Sequence, residues 1–463
     1  MADGIEDLLL EGLTAAQAEA VRSRQRRLLV VAGAGSGKTE VMARRVAWWV
    51  AVEGVPPGQV VAFTFTEKAA REMRARIRRA LARCGDLGDM FVGTIHAFCL
   101  AQLRALAPER YHNYEVLDEL ARLALIQREY DLLGFYPFTR ASRTWDRYRA
   151  IERFLQGYDL LCEHGELRVE LPPAPAHARA DKEWYRRARL LTPVGRSELA
   201  EAFSRVAARY YACLHLHRCL DFSTSQNELV RLLEGEEYLA RLRGAITHVV
   251  VDECQDINPV QDRLIRLLVG DSGHLLAVGD HRQAIYAWRG GRVELMARLH
   301  AEVTADPEGG VIELAENFRS TPRIVALANA WARTIGATGG MPSPDMLHGR
   351  AGRRDESPAH VALMRSYSRQ LEAEGIAQVV RALVPGDGRG AAHDDGDGER
   401  GLTYADVAVL LRSRRDLATY VEALERRGIP VVVRGSPQLL LQPEVLLCVA
   451  ALALVAGRQE LLD

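Results

Sequence analysis

Short apolar runs alternate with segments of helical periodicity along the first hundred residues, and the alternation returns from residue 245. Three of these runs, 30–32, 59–63 and 246–251, pass directly into polar or glycine-rich segments. Strands that alternate with helices build parallel sheets, and functional groups gather at the carboxyl ends of those strands. The pattern therefore predicts an α/β fold with its candidate chemistry just after these runs.

The same pattern divides the chain. Residues 1–100 and 245–310 are expected to fold together as one α/β lobe, because both carry the strand–helix alternation. Between them, residues 101–244 are rich in Leu, Arg and Tyr at helical spacing, and the proline-rich segment 171–175 interrupts them. This composition predicts an inserted helical subdomain. Residues 311–463 are expected to form part of a second α/β lobe.

The expected second lobe has its own predicted elements. Apolar runs indicate strands near 359–364 and 405–411, followed by a helix near 414–427. The segment 386–401 is dense in Gly and Asp, which predicts a flexible surface loop. Strands and helices alternate here as well, as an α/β lobe requires.

A glycine-rich loop follows the first apolar run and ends in Lys38-Thr39. Gly35 and Gly37 allow the backbone to turn with positive φ, so that successive N–H groups and the next helix's N-terminus face an anion. Such a loop alone also occurs as a simple turn with an exposed lysine. As a P-loop, it holds phosphates with Lys38 and Mg²⁺ with Thr39. Its candidate nucleotide-binding residues are Ala34, Gly35, Ser36, Gly37, Lys38 and Thr39.

A second apolar run ends in the paired carboxylates Asp252 and Glu253. In a nucleotide-hydrolysing site one acid holds Mg²⁺ and its neighbour positions the attacking water as general base. We assign these roles to Asp252 and Glu253 respectively. The alternative is an acidic turn after a core strand, which the preceding P-loop pattern makes the weaker interpretation.

Besides the P-loop, six segments resemble, in order, the motifs of UvrD/Rep-like superfamily 1A DNA helicases. They are Leu13–Gln17 (Q-motif), Thr64–Met73 (Ia), Thr94–Phe98 (Ib), Asp252–Asp256 (II), Gly279–Gly290 (III) and Asn317–Ser320 (IV). One departure is Cys254, where the family more often has an aromatic residue. The resemblance implies a RecA-like P-loop NTPase lobe with an inserted helical subdomain, followed by an incomplete second RecA-like lobe.

The resemblance also implies residue roles around ATP and Mg²⁺. Gln17 would contact the adenine and Phe318 would stack on it. Gln283 and Arg319 would reach the γ-phosphate, with Arg319 acting as an arginine finger. Arg45 is likewise placed among the nucleotide-binding residues.

For DNA, the resemblance implies a set of contacts with single-stranded or partly duplex substrate. The set comprises Thr64, Phe65, Thr94, His96, Tyr286 and Trp288. Tyr286 and Trp288 alternate with Arg289 in a glycine-containing loop, a composition that suits sequence-independent stacking on bases. Phe65 fits a base contact or a core position equally well.

Composition restricts the kinds of DNA site, cysteine chemistry and location that this chain can have. Lys and Arg number 60 against 61 Asp and Glu, a net charge of −1, so a DNA-binding groove has to be a local feature. Seven cysteines without CxxC spacing favour reduced thiols over a disulfide framework or a zinc site. No signal-peptide pattern occurs, and the apolar run 445–456 is too short to span a membrane. We expect a cytoplasmic protein without a membrane partner.

Two classes of function remain open. The favoured one is an ATP-dependent 3′-to-5′ DNA helicase or translocase, with the polarity taken from the resemblance. Because no segment resembles motifs V and VI, we expect an N-terminal portion: a truncated chain, a fragmentary gene product, or one half of a motor that a second chain completes. The other class is a non-catalytic ATP- and DNA-binding module or half of a split motor. Within the enzyme class, a RecB/AddA-like helicase–nuclease subunit is a neighbouring alternative.

Overall fold

The computed structural model divides the chain into two compact units, residues 1–358 and 359–463. The structure describes residues 2–82, 85–172, 182–287, 290–335, 341, 345–349, 361–384, 392–394, 399–433, 448 and 451.

Fourteen strands occur among the described residues. They are β1 Arg27–Ala32, β2 Val60–Thr64, β3 Phe91–Thr94, β4 Glu115–Leu117, β5 Val169–Glu170, β6 Arg189–Leu190, β7 Cys219–Asp221, β8 His248–Val251, β9 His274–Gly279, β10 Gly309–Leu314, β11 Glu316–Asn317, β12 Leu347–His348, β13 Ala392–Asp394 and β14 Glu399–Gly401.

Nineteen α-helices occur in the same part of the chain. They are α1 Ala2–Leu10, α2 Ala15–Arg22, α3 Lys38–Ala51, α4 Glu67–Leu81, α5 Ile95–Leu106, α6 Pro108–Tyr111, α7 Glu119–Arg128, α8 Tyr130–Leu133, α9 Phe135–Ser142, α10 Arg147–Glu163, α11 Lys182–Arg187, α12 Glu198–Leu216, α13 Phe222–Leu232, α14 Glu236–Ala245, α15 Pro259–Val269, α16 Val293–Ala305, α17 Pro322–Ile335, α18 Arg369–Leu383 and α19 Leu417–Glu425.

The centre of the first unit is a parallel sheet with strand order β10-β1-β9-β8-β2-β3. Side chains of β1 alternate between two cores: Leu28 and Val30 lie in one, whereas Leu29 and Val31 lie in the other. Helices therefore cover both faces, as parallel sheets require. The predicted α/β fold with a central parallel sheet is confirmed.

The expected end of the first lobe at residue 310 differs from the end of the last strand of this sheet. We placed the end of the first lobe at residue 310, but β10 continues to Leu314 and pairs with β1 along its whole length. Ile312 and Leu314 are buried in the core beside β1. The expected boundary therefore falls inside a strand.

Between β3 and β8 the chain is mainly helical, in line with the periodicity of residues 101–244. Helices α7 to α12 enclose a separate apolar core in which Phe135, Phe154, Tyr158 and Tyr210 are fully buried. Two small strand pairs, β4 with β7 and β5 with β6, accompany the helices.

The second unit differs from the sequence prediction. No strand forms among the described residues 361–366 or 405–411, and the predicted helix is confirmed as α19. Leu363 is 81% exposed and Leu410 92% exposed, whereas Val407 and Leu411 are partly buried against the core between α18 and α19. No described strand is paired with either run, so neither run forms part of a sheet among the described residues. The expected loop 386–401 contains the antiparallel pair β13 and β14.

Candidate active site

Every strand of the central sheet ends at one edge, and a segment singled out in the sequence follows each end. The P-loop follows β1, Phe65 follows β2, and His96 follows β3. Asp252 and Glu253 follow β8, Gln283 follows β9, and Arg319 comes after β10. Parallel pairing brings these segments together, although they are separated by up to 280 residues or so in the chain.

The loop after β1 has the geometry of an anion cradle. Gly35 and Gly37 adopt φ values of 70° and 83°, which residues with a Cβ rarely adopt. Ser36 Oγ donates to Gly33 O at 2.8 Å and closes the turn. Helix α3 begins at Lys38 with Glu40 and Val41 as the first residues bonded back to Gly37 O. The backbone N–H groups of Lys38 and Thr39 are therefore available to an anion at the helix N-terminus.

Lys38 and Glu253 form an ion pair across this edge. Lys38 Nζ lies 3.0 Å from Glu253 Oε2, and the lysine side chain is 12% exposed. Glu253 adopts a left-handed φ of 49°, an uncommon conformation for a residue with a side chain. Such backbone geometry is concentrated at functional sites. The turn aims this carboxylate at the P-loop lysine.

Asp252 has the environment of a cation ligand. Burial, and then the neighbouring Glu253 charge, raise the pKa of Asp252 to about 7, while Lys38 opposes the shift. A divalent cation here would relieve the repulsion between the two carboxylates. With the hydroxyl of Thr39 at the start of α3, the donor set consists of oxygens, which Mg²⁺ prefers. These residues fit the ion.

Gln17 is held against the P-loop. Its Nε2 donates to Ser36 O at 2.9 Å, and its Oε1 accepts from the Thr14 backbone N–H in a capping box that starts α2. The side chain is buried, with 7% exposed. Gln17 therefore lies beside the nucleotide loop, and its predicted contact with the adenine stays a prediction.

A chain of hydrogen bonds connects Glu253 with the loop after β9. Gln255 Nε2 donates to Glu253 Oε2 at 2.9 Å, while its Oε1 accepts from the Asp280 backbone N–H at 3.0 Å. Asp280 Oδ2 in turn accepts from Gln283 Nε2 at 2.8 Å. Gln255 and Asp280 are both buried. Sequence reasoning gave neither residue a role; their polarity directly after apolar strands was the available signal.

Asn317 joins the segment after β10 to the P-loop. Its Nδ2 donates to Ala34 O at 2.6 Å, and its Oδ1 accepts from the backbone N–H of Arg319 at 3.0 Å. Phe318 N donates to Gly35 O at 2.9 Å. A Cβ added to Gly35 would lie 2.7 Å from Arg319 Cβ, so Gly35 permits this close approach. Phe318 and Arg319 thus reach the loop, while Asn317, which sequence reasoning missed, holds them there.

Arg45 lies apart from this group. It follows Lys38 by two helical turns, about 10 Å along α3. Its Nη1 donates to Val21 O at 2.9 Å and pairs with Glu53 at 3.0 Å. The guanidinium packs over Trp49, 4.9 Å from the ring centroid. The structure gives Arg45 a packing environment rather than a place at the P-loop.

Two aromatic side chains meet near the same edge. The ring centroids of Phe65 and Tyr286 are 4.6 Å apart and tilted by 36°. Phe65 is 37% exposed, so it is not a core residue, and the adjacent Ile285 is 70% exposed. Trp288, the other predicted stacking residue, lies outside the described residues.

The predicted DNA-binding residues at the ends of β2 and β3 are of two kinds, hydroxyl side chains bonded within the protein and an aromatic ring. Thr64 is buried and its hydroxyl donates to Thr66 O at 3.2 Å, while Thr94 caps α5 and donates to Glu67 at 3.0 Å. His96 lies edge-on to Phe222, with ring centroids 5.3 Å apart. Phe222 is 45% exposed. Sequence reasoning gave Phe222 no role, because the residues that follow Asp221-Phe222 depart from the family's pattern at this place.

Two family models together match most of this chain. Residues 13–304 match the UvrD/REP helicase N-terminal domain, and residues 312–462 match the UvrD-like helicase C-terminal domain. None of the described helices combines the length and apolar character needed to cross a membrane.

Individual relatives point the same way. DNA helicase II of Haemophilus influenzae is 29% identical over 459 residues, which cover 98% of this chain and 55% of the relative. DNA helicase II of Escherichia coli is 28% identical, with 98% and 55% covered. ATP-dependent DNA helicase UvrD1 of Mycobacterium leprae is 32% identical, with 94% and 51% covered. The chain thus spans about half the length of these relatives. It belongs to the UvrD/Rep helicase family.

Proposed function

We propose that this chain is the ATP- and DNA-binding part of a DNA helicase or translocase that moves 3′ to 5′ on single-stranded DNA. One observation carries the proposal: the hydrogen-bonded path Lys38–Glu253–Gln255–Asp280 ends in the loop that also bears Tyr286. Hydrogen bonds thus connect the residues expected to bind ATP with the loop that bears Tyr286. The 3′-to-5′ polarity rests on family resemblance.

At the nucleotide, Lys38 and the N-terminus of α3 would bind the phosphates. Thr39 and Asp252 would hold Mg²⁺, which supplies charge neutralisation on the phosphate oxygens when bound. Glu253 would orient the attacking water and accept its proton. Arg319 would stabilise the γ-phosphate charge, and Gln17 and Phe318 would contact the adenine.

At the DNA, Phe65, Tyr286 and Trp288 would stack on bases, an interaction that tolerates any sequence. His96 and Phe222 would supply a second aromatic pair for DNA. Gln283 is bonded to Asp280 and lies three residues before Tyr286, so phosphate binding at Gln283 would move the aromatic loop. That movement is the proposed step of translocation.

Location is inferred from the thiols. The described cysteines are free, and five of the six are buried. Free thiols are typical of reducing compartments, so we infer a cytoplasmic protein.

The experiment is steady-state phosphate release with and without single-stranded DNA, for the wild-type chain and Glu253→Gln. DNA-stimulated turnover that the variant lacks supports the motor. Nucleotide and DNA binding without turnover in the wild-type chain supports a binding module instead.

A further inference from the structure

Three exposed aromatic rings lie on the inserted helical subdomain, where α9 passes into α10. Tyr136 is 70% exposed, Trp145 is 73% exposed and Tyr148 is 48% exposed. They belong to α9, to the turn after it and to the first turn of α10. We call the exposed side chains of residues 136–153 the α9–α10 surface. Rings of this size that remain outside the core indicate a surface for binding.

Basic side chains dominate the α9–α10 surface. Its charged residues, all exposed, are five arginines and two acids, which gives a net charge of +3. The arginines are Arg140, Arg143, Arg147, Arg149 and Arg153, and the acids are Asp146 and Glu152. None of these arginines forms an ion pair with a carboxylate in the described part of the chain. Of the two acids, Asp146 accepts from the Arg149 backbone N–H, and Glu152 lies beside Tyr148. The uncompensated positive charge favours an anionic partner.

The turn that bears Trp145 is fixed to the helices on either side. Arg153 Nη1 donates to Ser142 O at 2.9 Å, a bond that joins the second turn of α10 to the end of α9. Beneath the turn, Phe138 of α9 and Phe154 of α10 pack edge to face, with ring centroids 6.1 Å apart. The exposed ring therefore stands on an ordered base, and a ligand would not have to order the backbone when it binds.

The opposite end of α10 contacts the end of the segment that bears Tyr286. The helix has 17 residues and is therefore about 25 Å long. At its C-terminal end, His164 Nδ1 lies 2.7 Å from Leu160 O, which favours a proton on Nδ1. The other ring nitrogen, Nε2, then accepts from Arg292 Nη2 at 2.5 Å. One helix thus joins the α9–α10 surface to the segment expected to hold single-stranded DNA.

Single-stranded DNA matches the α9–α10 surface better than duplex DNA does. Phosphates of either form would be attracted to the arginines. Only unpaired bases offer free ring faces, however, and three exposed aromatic rings are available to stack on them. In a duplex those faces are already stacked on neighbouring base pairs.

We propose that the α9–α10 surface binds a second segment of single-stranded DNA, whose bases stack on Tyr136, Trp145 and Tyr148 and whose phosphates contact the arginines. The inference rests on the proposed function in taking DNA as the ligand, but the surface is separate from Phe65 and Tyr286. A strand long enough to reach both places binds more tightly than one that occupies a single place, because its second contact is intramolecular.

The test compares two fluorescent oligothymidines on the full chain by anisotropy, one of about 6 nucleotides, near the lower limit of a single-strand site, and one of about 40. Trp145→Ala/Tyr148→Ala should weaken binding of the long strand at least about fivefold, the smallest effect expected for one lost base stack. The short strand should change little, because it still binds at Phe65 and Tyr286. Trp145→Phe/Tyr148→Phe keeps both rings and should bind the long strand like wild type.

The arginines are tested by salt dependence. Arg140→Gln/Arg149→Gln should reduce the slope of log affinity against log salt concentration for the long strand by about 1.4, since each lost phosphate contact removes about 0.7. Trp331→Ala, at a position 69% exposed on α17, is the matched control and should change neither affinity nor slope.

Three results would overturn the proposal. Undiminished binding of the long strand by Trp145→Ala/Tyr148→Ala would remove the surface and leave the proposed function standing, whereas no binding of either strand to the wild-type chain would remove both. An equal loss of affinity for a blunt duplex would assign the surface to duplex DNA. A wild-type dimer that the same variant converts to a monomer in sedimentation would assign it to a second copy of the chain instead.

Discussion

Lys38 Nζ lies 3.0 Å from Glu253 Oε2, so the cation expected to bind phosphate is paired with the carboxylate expected to activate water. The pair joins the ends of two strands whose order in the sheet places β9 between them. Nucleotide binding has to draw Lys38 away from this carboxylate. Release of Glu253 would then accompany arrival of the phosphates.

Glu253→Gln is expected to bind ATP more tightly than wild type, by up to about fivefold, because the partly exposed ion pair no longer competes for Lys38. Lys38→Ala should weaken binding roughly ten- to hundredfold through loss of a charge-assisted contact. Titration of a fluorescent ATP analogue measures both. Unchanged affinity in Lys38→Ala would remove the P-loop assignment.

Metal affinity should depend on pH. Because burial and Glu253 raise the pKa of Asp252 to about 7, this carboxyl is protonated below neutrality in the nucleotide-free protein. Binding of Mg²⁺ with nucleotide requires the charged form, so apparent affinity should rise as pH increases through 7 and be accompanied by proton release. Calorimetry in buffers of different ionisation enthalpy measures the proton. Asp252→Asn should show no such release, and equal release in both proteins would contradict the assignment.

Phe65 and Tyr286 should contribute to the affinity for single-stranded DNA. Phe65→Ala and Tyr286→Ala are each expected to weaken single-stranded DNA binding by about five- to hundredfold, since stacking is worth roughly 1–3 kcal/mol per base. Trp288→Ala should behave likewise. Trp331→Ala, at a position 69% exposed on α17, is the matched control. Fluorescence anisotropy measures affinity, and ATP binding should not change in any of the four.

Gln255 should couple the two sites. Gln255→Ala removes both the hydrogen bond to Glu253 and the acceptor for Asp280 N–H, so ATP and DNA should still bind while stimulation of turnover by DNA falls. Gln255→Asn, which keeps the amide but is shorter, should retain part of the stimulation. The ratio of phosphate release with and without DNA is the measurement. A full ratio in Gln255→Ala would show that coupling follows another path.

The sequence predicts the contiguous parts of this site well and the assembled parts poorly. The P-loop and the pair Asp252-Glu253 are short patterns whose chemistry follows from adjacent residues. Gln255 bonds to Asp280, 25 positions away, and that contact exists only because β8 and β9 are neighbours. In the second unit, apolar runs suggested strands, but apolar character alone does not supply a pairing partner.

Acid should destabilise the first unit through His248, which stacks on His274 with centroids 4.4 Å apart. Burial, then the charge of His274, lower the pKa of His248 to about 3. The neutral form is thus favoured in the folded state, and its stabilising contribution is complete above about 6.5 and lost as pH falls toward 3. Between these values one histidine changes the unfolding equilibrium by up to about tenfold per pH unit.

His248→Asn should flatten this acid dependence in denaturant titrations, because asparagine does not ionise and can still bond Thr247 Oγ1, which lies 2.8 Å from His248 Nδ1. His112→Asn, at an exposed position, is the control and should leave the dependence unchanged. An equally steep loss of stability in His248→Asn would assign it to other groups.

The most direct measurement of the central claim is a crystal structure of the chain with Mg²⁺ and a non-hydrolysable ATP analogue. In that structure we expect Lys38 to leave Glu253 and contact the β- and γ-phosphates. Thr39 and Asp252 should face the cation, and Glu253 should face the γ-phosphate. A nucleotide bound elsewhere, or phosphates seated in the loop with Lys38 still paired to Glu253, would contradict it.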